Sequence, residues 1–183
     1  MSRPSATSAP SSTQTASRTT RGGGRTPLHE QTGKVDPFAV PEQEAALNLL
    51  RTGAVLSTFM TRLFKPHGLT DSSYNVLRIL RGAAPDLLRC SDIRDRLGVP
   101  APDVTRLVDR LEARALVERQ TDEVDHRVVR VSITRKGRQL LDRLDGPLLE
   151  LHQHQLGHLS AKELAQLSTL LTKARSPHEP EER

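Results

Sequence analysis

The amino-acid sequence predicts a mainly α-helical fold with one small β-hairpin. In several segments the apolar residues recur at three- and four-residue steps, which is the period of an amphipathic helix. Near residue 130 the period changes to two, because Val129, Val131 and Ile133 alternate with Arg130 and Ser132. Since this strand pattern follows two short helical segments, we expect a helix-turn-helix domain whose wing is the hairpin.

The composition narrows the class of partner. The chain has 183 residues, enough for one domain, and a formal net charge of +5 at pH 7. Ordinary soluble proteins also reach this basic surplus, so it favours a polyanionic partner only modestly. The aromatic residues number four, namely Phe38, Phe59, Phe64 and Tyr74. So few rings argue against the stacking platforms with which proteins bind single-stranded nucleic acid.

The sequence also indicates a compartment. Cys90 is the single cysteine, which excludes an internal disulfide framework and a cysteine-based zinc finger. No run approaches the roughly 18 apolar residues of a membrane span, and residues 1–20 lack the apolar core of a signal peptide. We therefore expect a cytoplasmic protein that does not contact the membrane.

Three segments differ in composition. Residues 1–41 are rich in Ser, Thr, Pro, Gly and Arg, and carry five basic side chains against two acidic ones. This predicts a disordered basic arm, either a source of nonspecific DNA affinity or a leader without a role. Residues 42–175 hold the periodic apolar residues of the folded domain, and residues 176–183 are predicted to be a disordered tail.

The domain begins with two predicted helices. The first starts near residue 42 and ends before Pro66 and Gly68. The second is capped by Thr70 and reaches Gly82, after which a connector allows one short strand at Leu87–Arg89.

The helix-turn-helix follows this connector. Ser91 is predicted to cap a short helix that Gly98 stops. A second helix over residues 101–114 then presents one apolar stripe, made of Val104, Leu107, Val108 and Leu111. The polar residues Thr105, Arg106, Asp109 and Arg110 are left on its other side.

The wing and two further helices complete the domain. Leu116–Gln120 and Val128–Ile133 read as the two strands of the hairpin. Thr134 is predicted to cap a long helix with a kink or break at residues 145–147, where Gly146 precedes Pro147. The last helix opens with a capping box formed by Ser160 and Glu163.

The helix at 101–114 has the residue types that suit a DNA major groove. The groove admits one helix, whose first turns reach the base edges, and arginine can bind guanine through two hydrogen bonds. In the hairpin, Arg127 lies near the tip, where an arginine can enter the narrow minor groove, and Asp125 can hold the loop. The candidate DNA-binding residues are Ser91, Pro102, Asp103, Thr105, Arg106, Arg110, Asp125 and Arg127.

Two observations complicate this interpretation. Asp103 either caps the helix or accepts a hydrogen bond from a cytosine amino group, and it repels phosphate. Residues 101–135 hold seven Arg and seven Asp or Glu, so binding must depend on how charge is divided between faces.

These segments together resemble the MarR family of multiple-antibiotic-resistance regulators, over roughly residues 42–175. The resemblance is carried by HGLTDSSYNVLRIL, LGVPAPDVTRLVDRLEARALVER and DHRVVRVSITRKG, in which Asp125, Arg127, Ile133-Thr134 and Gly137 fall in step with the family's wing. It implies a winged helix-turn-helix domain flanked by dimerisation helices near 42–65 and 135–174. It further implies a homodimer on a pseudo-palindromic double-stranded operator, with 101–114 as recognition helix and Arg127 as wing arginine.

Two residues depart from the family pattern. Ala115 stands where glycine usually follows the recognition helix, and a left-handed alanine costs on the order of 1 kcal/mol. Pro100-Ala101 replaces polar residues that often make contacts, which predicts weaker base readout by the first turn.

The resemblance also implies a transcriptional repressor relieved by a small ligand, metal binding or cysteine oxidation. A pocket near Phe59, His67 and Tyr74 is the candidate ligand site, although core packing is the favoured role of these residues. Cys90 is either a redox sensor or a packed small residue, and the histidines His152, His154 and His158 do not share one helix face.

The sequence therefore predicts no metal site and no cofactor. It predicts no enzyme either, because outside these histidines we find no set of nucleophile, base and metal ligands. The alternative function is a winged-helix module that contacts proteins without binding specific DNA.

Overall fold

The computed structural model of the protein describes residues 28–31, 33, 38–97, 103–122 and 128–178. Its helices are α1 Leu28–Gln31, α2 Pro41–Phe64, α3 Asp71–Ala83, α4 Cys90–Leu97, α5 Val104–Glu112, α6 Arg135–Leu156 and α7 Ala161–Arg175. Its strands are β1 Leu88–Arg89, β2 Val117–Thr121 and β3 Val129–Ile133, and short 3₁₀ turns occupy Lys65–His67 and Ser176–His178. Backbone contacts divide the chain into residues 1–49 and residues 50–183. The winged-helix elements lie in the second unit.

The strands form one antiparallel sheet in the order β1-β3-β2. Val117 of β2 pairs with Ile133 of β3, and Leu88 of β1 pairs with Val131. These four side chains are buried, so one face of the sheet belongs to the core. The predicted mainly helical fold with a small hairpin is confirmed, as is the short strand that precedes it.

The core gathers one side of nearly every element in the second unit. The apolar stripe of α5 is buried between α3 and α4, and Ile93 of α4 is fully enclosed. Phe64 stacks on Tyr74 with ring centroids 4.5 Å apart and an interplanar angle of 17°. Leu141 and Leu144 of α6 pack into the same cluster. Among the described residues, none of the helices has the length and apolar composition that a bilayer crossing needs.

Three of the predicted helix caps are confirmed. The Thr70 hydroxyl accepts the N–H of Ser73 at 3.2 Å, and the Thr134 hydroxyl accepts the N–H of Gly137 at 3.1 Å. At α7, Ser160 accepts the N–H of Glu163 while the Glu163 carboxylate accepts the N–H of Ser160, which is a complete capping box. These bonds satisfy backbone donors that have no partner inside the helix.

The fourth predicted cap is wrong. Ser91 does not cap α4, because β1 runs directly into a helix that already begins at Cys90. The carboxylate of Asp92 takes the free N–H of Arg89 at 2.9 Å, and the Ser91 hydroxyl donates to Asp92 at 3.3 Å. The start of α4 is therefore capped by an acidic side chain of its first turn, which binds an N–H that precedes the helix, and not by the serine.

Of the predicted kink or break at residues 145–147, the break is wrong, because α6 runs as one helix from Arg135 to Leu156. Pro147 removes one hydrogen bond, but the residue before it is Gly146, which has no Cβ to clash with the proline ring. Two residues before the proline, Arg81 of α3 donates two hydrogen bonds to Asp145 of α6, at 2.7 and 2.9 Å. These hydrogen bonds lower the pKa of Asp145. The winged helix is thereby fixed to a continuous α6.

Ala115 adopts the left-handed conformation, with φ +55°. Replacing it by glycine is expected to raise the free energy of unfolding by about 1 kcal/mol, because a Cβ is strained in this region. The matched control is Ala113→Gly, since Ala113 has an ordinary φ of −55° and should lose roughly 0.5–1 kcal/mol. Urea unfolding measures both, and a loss of stability in both variants would contradict the assigned strain.

Candidate nucleic-acid interface

Helix α5 is divided cleanly into a buried and an exposed side. Val104, Leu107, Val108 and Leu111 are each at most 2% exposed, as the sequence pattern predicted. The opposite side presents Thr105, Arg106, Asp109 and Arg110 to solvent. A helix held by one apolar stripe thus keeps a polar face free for a partner.

The first turn of α5 is fixed by Asp103. One carboxylate oxygen accepts the N–H groups of Thr105 at 3.1 Å and Arg106 at 3.3 Å. Of the alternatives left open by the sequence, the cap is the role seen in the structure. The other carboxylate oxygen lies 3.3 Å from Nε of Arg106. Because both side chains are largely exposed, this ion pair is weak and can open when a polyanion approaches.

The two outward arginines lie one turn apart on α5. The Arg106 side chain is 82% exposed, and Arg110 donates through Nε to the Arg106 carbonyl at 3.2 Å. A groove of ≈ 520 Å³ runs along this face, and its described lining is Asp103, Arg106, Asp109 and Arg110. The arrangement leaves two guanidinium groups able to turn toward hydrogen-bond acceptors.

The C-terminal end of α5 is tied to two neighbours through Arg114. Its guanidinium donates to the carbonyls of His67 and Gly68, at 2.6 Å each. Its own carbonyl accepts a hydrogen bond from Lys136 at 2.9 Å. These bonds connect the end of α5 to the turn that follows α2 and to the start of α6, so the C-terminal end of α5 is held in place.

Arg119 of β2 connects the wing to α5, and sequence reasoning missed it. Nη1 lies 2.7 Å from Glu112 and Nη2 lies 2.6 Å from Asp109. Burial opposes its charge, but hydrogen bonds and charges from both carboxylates outweigh this and raise the pKa of Arg119. The only local signal was an arginine at an inward-alternating position of a strand, which does not reveal the partners.

Of the remaining predicted DNA-binding residues, the structure describes Ser91. Ser91 is exposed in the first turn of α4. Pro102, Asp125 and Arg127 lie outside the described residues, so their predicted roles stay predictions. The base of the wing is described, and there Arg130 of β3 forms an ion pair with Asp122.

The structure does not bring the three predicted pocket residues into shared contacts. Tyr74 is buried against Phe64, and burial together with the charge of Asp145 raises its pKa. The Phe59 ring contacts His154 edge-on, with centroids 6.4 Å apart. His67 contributes its backbone carbonyl to Arg114. The ligand pocket stays a prediction.

Cys90 and the histidines were the other candidate sensors. Burial raises the pKa of the Cys90 thiol, which disfavours the reactive thiolate. The cysteine packs beside the core cluster, as a small apolar residue would. In the described part of the chain no three His, Cys, Asp or Glu side chains gather around a common point for a metal ion.

The fold and this face define a winged helix-turn-helix protein, with α4 and α5 as the two helices and β2–β3 as the wing. The sequence model of the MarR family matches residues 67–128. A MarR transcription factor from Planctomyces limnophilus is 41% identical in sequence, and the match covers 74% of this chain and 98% of that one with a TM-score of 0.59. The chain belongs to the MarR family of transcription regulators.

Two further solved structures are similar. A cysteine-to-serine variant of MarR from E. coli, complexed with operator DNA, is 26% identical, covers 70% of this chain and 91% of that one, and has a TM-score of 0.64. A MarR-like regulator from Bacillus cereus is 18% identical, covers 74% and 96% of the two chains, and has a TM-score of 0.66. The second likeness concerns the fold alone.

Proposed function

We propose that this protein is a sequence-specific transcriptional regulator that binds double-stranded DNA, with α5 in the major groove and the wing in the minor groove. The exposed face of α5 carries the proposal. It presents Arg106 and Arg110 one turn apart on a helix that Asp103 caps at its start and that Arg114 joins to neighbouring segments at its end. In direct readout, a helix enters the major groove and its outward arginines donate hydrogen bonds to base edges.

The proposed contacts divide into two kinds. In this proposal Arg106, Arg110 and Thr105 read base edges, while Ser91 and Pro102 contact the DNA backbone. Asp103 serves the site through its cap, which orients the first turn. Asp125 and Arg127 are assigned to the wing tip, with the arginine in the minor groove. The E. coli relative that is complexed with operator DNA supports the binding of DNA by this chain.

The protein is proposed to act as a homodimer. In the described chain α7 has no buried residue, although it runs for 15 residues. Helices of this length are marginal alone in water and need packing on an apolar face. Large apolar side chains are exposed on three helices of the second unit, namely Leu50, Val55, Leu149, Leu167 and Leu170. A second copy would cover these side chains and set two recognition helices about one DNA turn apart.

Leu170→Asp is expected to convert the dimer into a monomer, because Leu170 is 56% exposed on α7 and a buried unpaired carboxylate is costly. Sedimentation would report a fall from twice 20.2 kDa to 20.2 kDa. Thr169→Asp adds the same charge on the opposite side of α7 and should leave the dimer intact. If the Leu170 variant remains a dimer, or if the wild type is a monomer, the proposal that α7 forms the dimer interface is wrong.

The proposed mode of action is repression in the cytoplasm, relieved by a small molecule. This follows from the family resemblance, and the family is one of regulators rather than enzymes. Deletion of the gene is then expected to raise transcription from promoters that the protein occupies. A fall in transcription at those promoters would instead assign activation.

The rival function is a winged helix that contacts only proteins. The two functions differ in their response to salt, because binding to DNA releases counter-ions. Titration of a mixed-sequence duplex should show an affinity loss of about 10³-fold between roughly 50 mM and 200 mM salt, as for about six phosphate contacts. Affinity that is absent, or independent of salt, would favour the rival.

A further inference from the structure

The face of α5 that is proposed to meet DNA also carries two acidic side chains. Asp109 and Glu112 are three residues apart and lie on the side of the helix that faces the wing. Their side chains are 54% and 38% exposed, so neither charge is removed by burial. Beside the DNA phosphates two free carboxylates would oppose the attraction exerted by Arg106 and Arg110.

Arg119 meets both carboxylates with one planar fork. Its side chain is 26% exposed, and each terminal nitrogen is directed at a different acid, with a further contact of 3.5 Å from Nη2 to the carbonyl of Thr105. The three partners Thr105, Asp109 and Glu112 are spaced by four and three residues, which places them along one side of α5. A guanidinium can serve two acids in this way, whereas a lysine ammonium is a single point charge.

We propose that Arg119 is the internal counter-ion of the recognition helix, a positioning and charge-neutralising residue that allows α5 to approach the phosphates without touching DNA itself. It lowers the charge of the acidic side of α5 from −2 to −1, so that Asp109 and Glu112 are paired with Arg119 and do not compete with the duplex for Arg106 and Arg110. This explains how residues 101–135 can bind DNA although their formal charges sum to zero. Arg119 partly neutralises the acids of α5 inside the protein. The inference rests on the proposed DNA binding.

Neutralisation and a mechanical tie make different predictions. If Arg119 acts only by connecting the wing to α5, a variant that lacks both the arginine and the two acids still lacks this connection. Its affinity for DNA should then stay low. If it neutralises charge, removing the acids restores binding although no tie remains. A triple variant without the arginine and without either carboxylate charge therefore separates the two roles.

The test measures the affinity of the full-length protein for a mixed-sequence duplex by fluorescence anisotropy at low salt. Arg119→Met should weaken binding by about tenfold, an effect that shrinks as salt rises. Arg119→Met combined with Asp109→Asn and Glu112→Gln should bind at or above the wild-type level. Arg143→Met, which removes an exposed arginine from α6, should stay within about twofold because it lies outside the binding face.

A second variant covers the case in which Arg119→Met does not fold. Asp109→Asn with Glu112→Gln keeps the arginine and its hydrogen-bonding partners, removes two negative charges and should bind more tightly than wild type by about tenfold. The proposal is overturned if Arg119→Met binds like wild type, if the triple variant stays as weak as the single one, or if the double variant gains nothing. If the wild type itself fails to bind the duplex, the proposed function fails first.

Discussion

Replacing both Arg106 and Arg110 by alanine is expected to lower the affinity for the specific DNA site by between about 30-fold and 10⁴-fold. Each arginine that reads a guanine contributes roughly 1–3 kcal/mol of discrimination, and ~1.4 kcal/mol corresponds to a factor of ten. The two side chains lie on the exposed side of α5, while the core depends on its other side. The protein should therefore stay folded while its affinity for the specific DNA site falls.

The matched control for this double variant is Arg78→Ala with Arg143→Ala. It removes the same charge from exposed positions on α3 and α6, so it reports the effect of net charge alone. Fluorescence anisotropy with the specific duplex and with a scrambled duplex would measure all variants. A loss of equal size in the two double variants would mean that net charge, and not base readout by α5, governs binding.

Gly137→Ala is expected to lower the free energy of unfolding by about 3 kcal/mol or more, at the upper end for overpacking. A Cβ at residue 137 would lie 2.2 Å from the backbone oxygen of Leu116 and 2.7 Å from Cγ1 of Ile133. The Leu116 carbonyl already accepts the N–H of Thr134 at 3.1 Å, so it cannot move away without breaking that bond. The first turn of α6 needs a residue without a side chain here.

Gly82→Ala provides the comparison for this variant. A Cβ at Gly82 of α3 would meet no atom within 4 Å, so alanine there should stabilise the helix by roughly 0.5–1 kcal/mol. Thermal or urea unfolding of the two variants should move in opposite directions. If Gly137→Ala unfolds like the wild type, the close approach of α6 to the Leu116 carbonyl is incorrect.

The parts of the fold that the sequence predicts well are set by neighbours in the chain. The stripe of α5 follows from a 3.6-residue period, and the caps at Thr70, Thr134 and Ser160 follow from hydroxyls placed before helical segments. In each of these cases one local feature was sufficient. The resemblance placed Ala115 where the family usually has glycine, and the residue is left-handed with φ +55°.

The parts that sequence reasoning missed depend on contacts between distant segments. Arg119 meets Asp109 and Glu112 only because β2 folds back along α5. The enclosure of Gly137 depends on a carbonyl 21 residues earlier. Ser91 is not a cap because β1 leads directly into a helix that begins two residues earlier than predicted, which no periodicity reveals. Contacts that depend on the tertiary fold therefore cannot be predicted from the spacing of residues along the chain.

The central claim is that two copies of α5 read a specific sequence in double-stranded DNA. Selection of the fragments that the purified full-length protein binds in the DNA of its own host tests this claim most directly. We expect enrichment of a two-fold symmetric motif whose halves lie about one helical turn apart, with the enrichment lost in the Arg106→Ala, Arg110→Ala variant. The claim is contradicted if the bound fragments share no such motif. It is also contradicted if the variant still enriches the same motif.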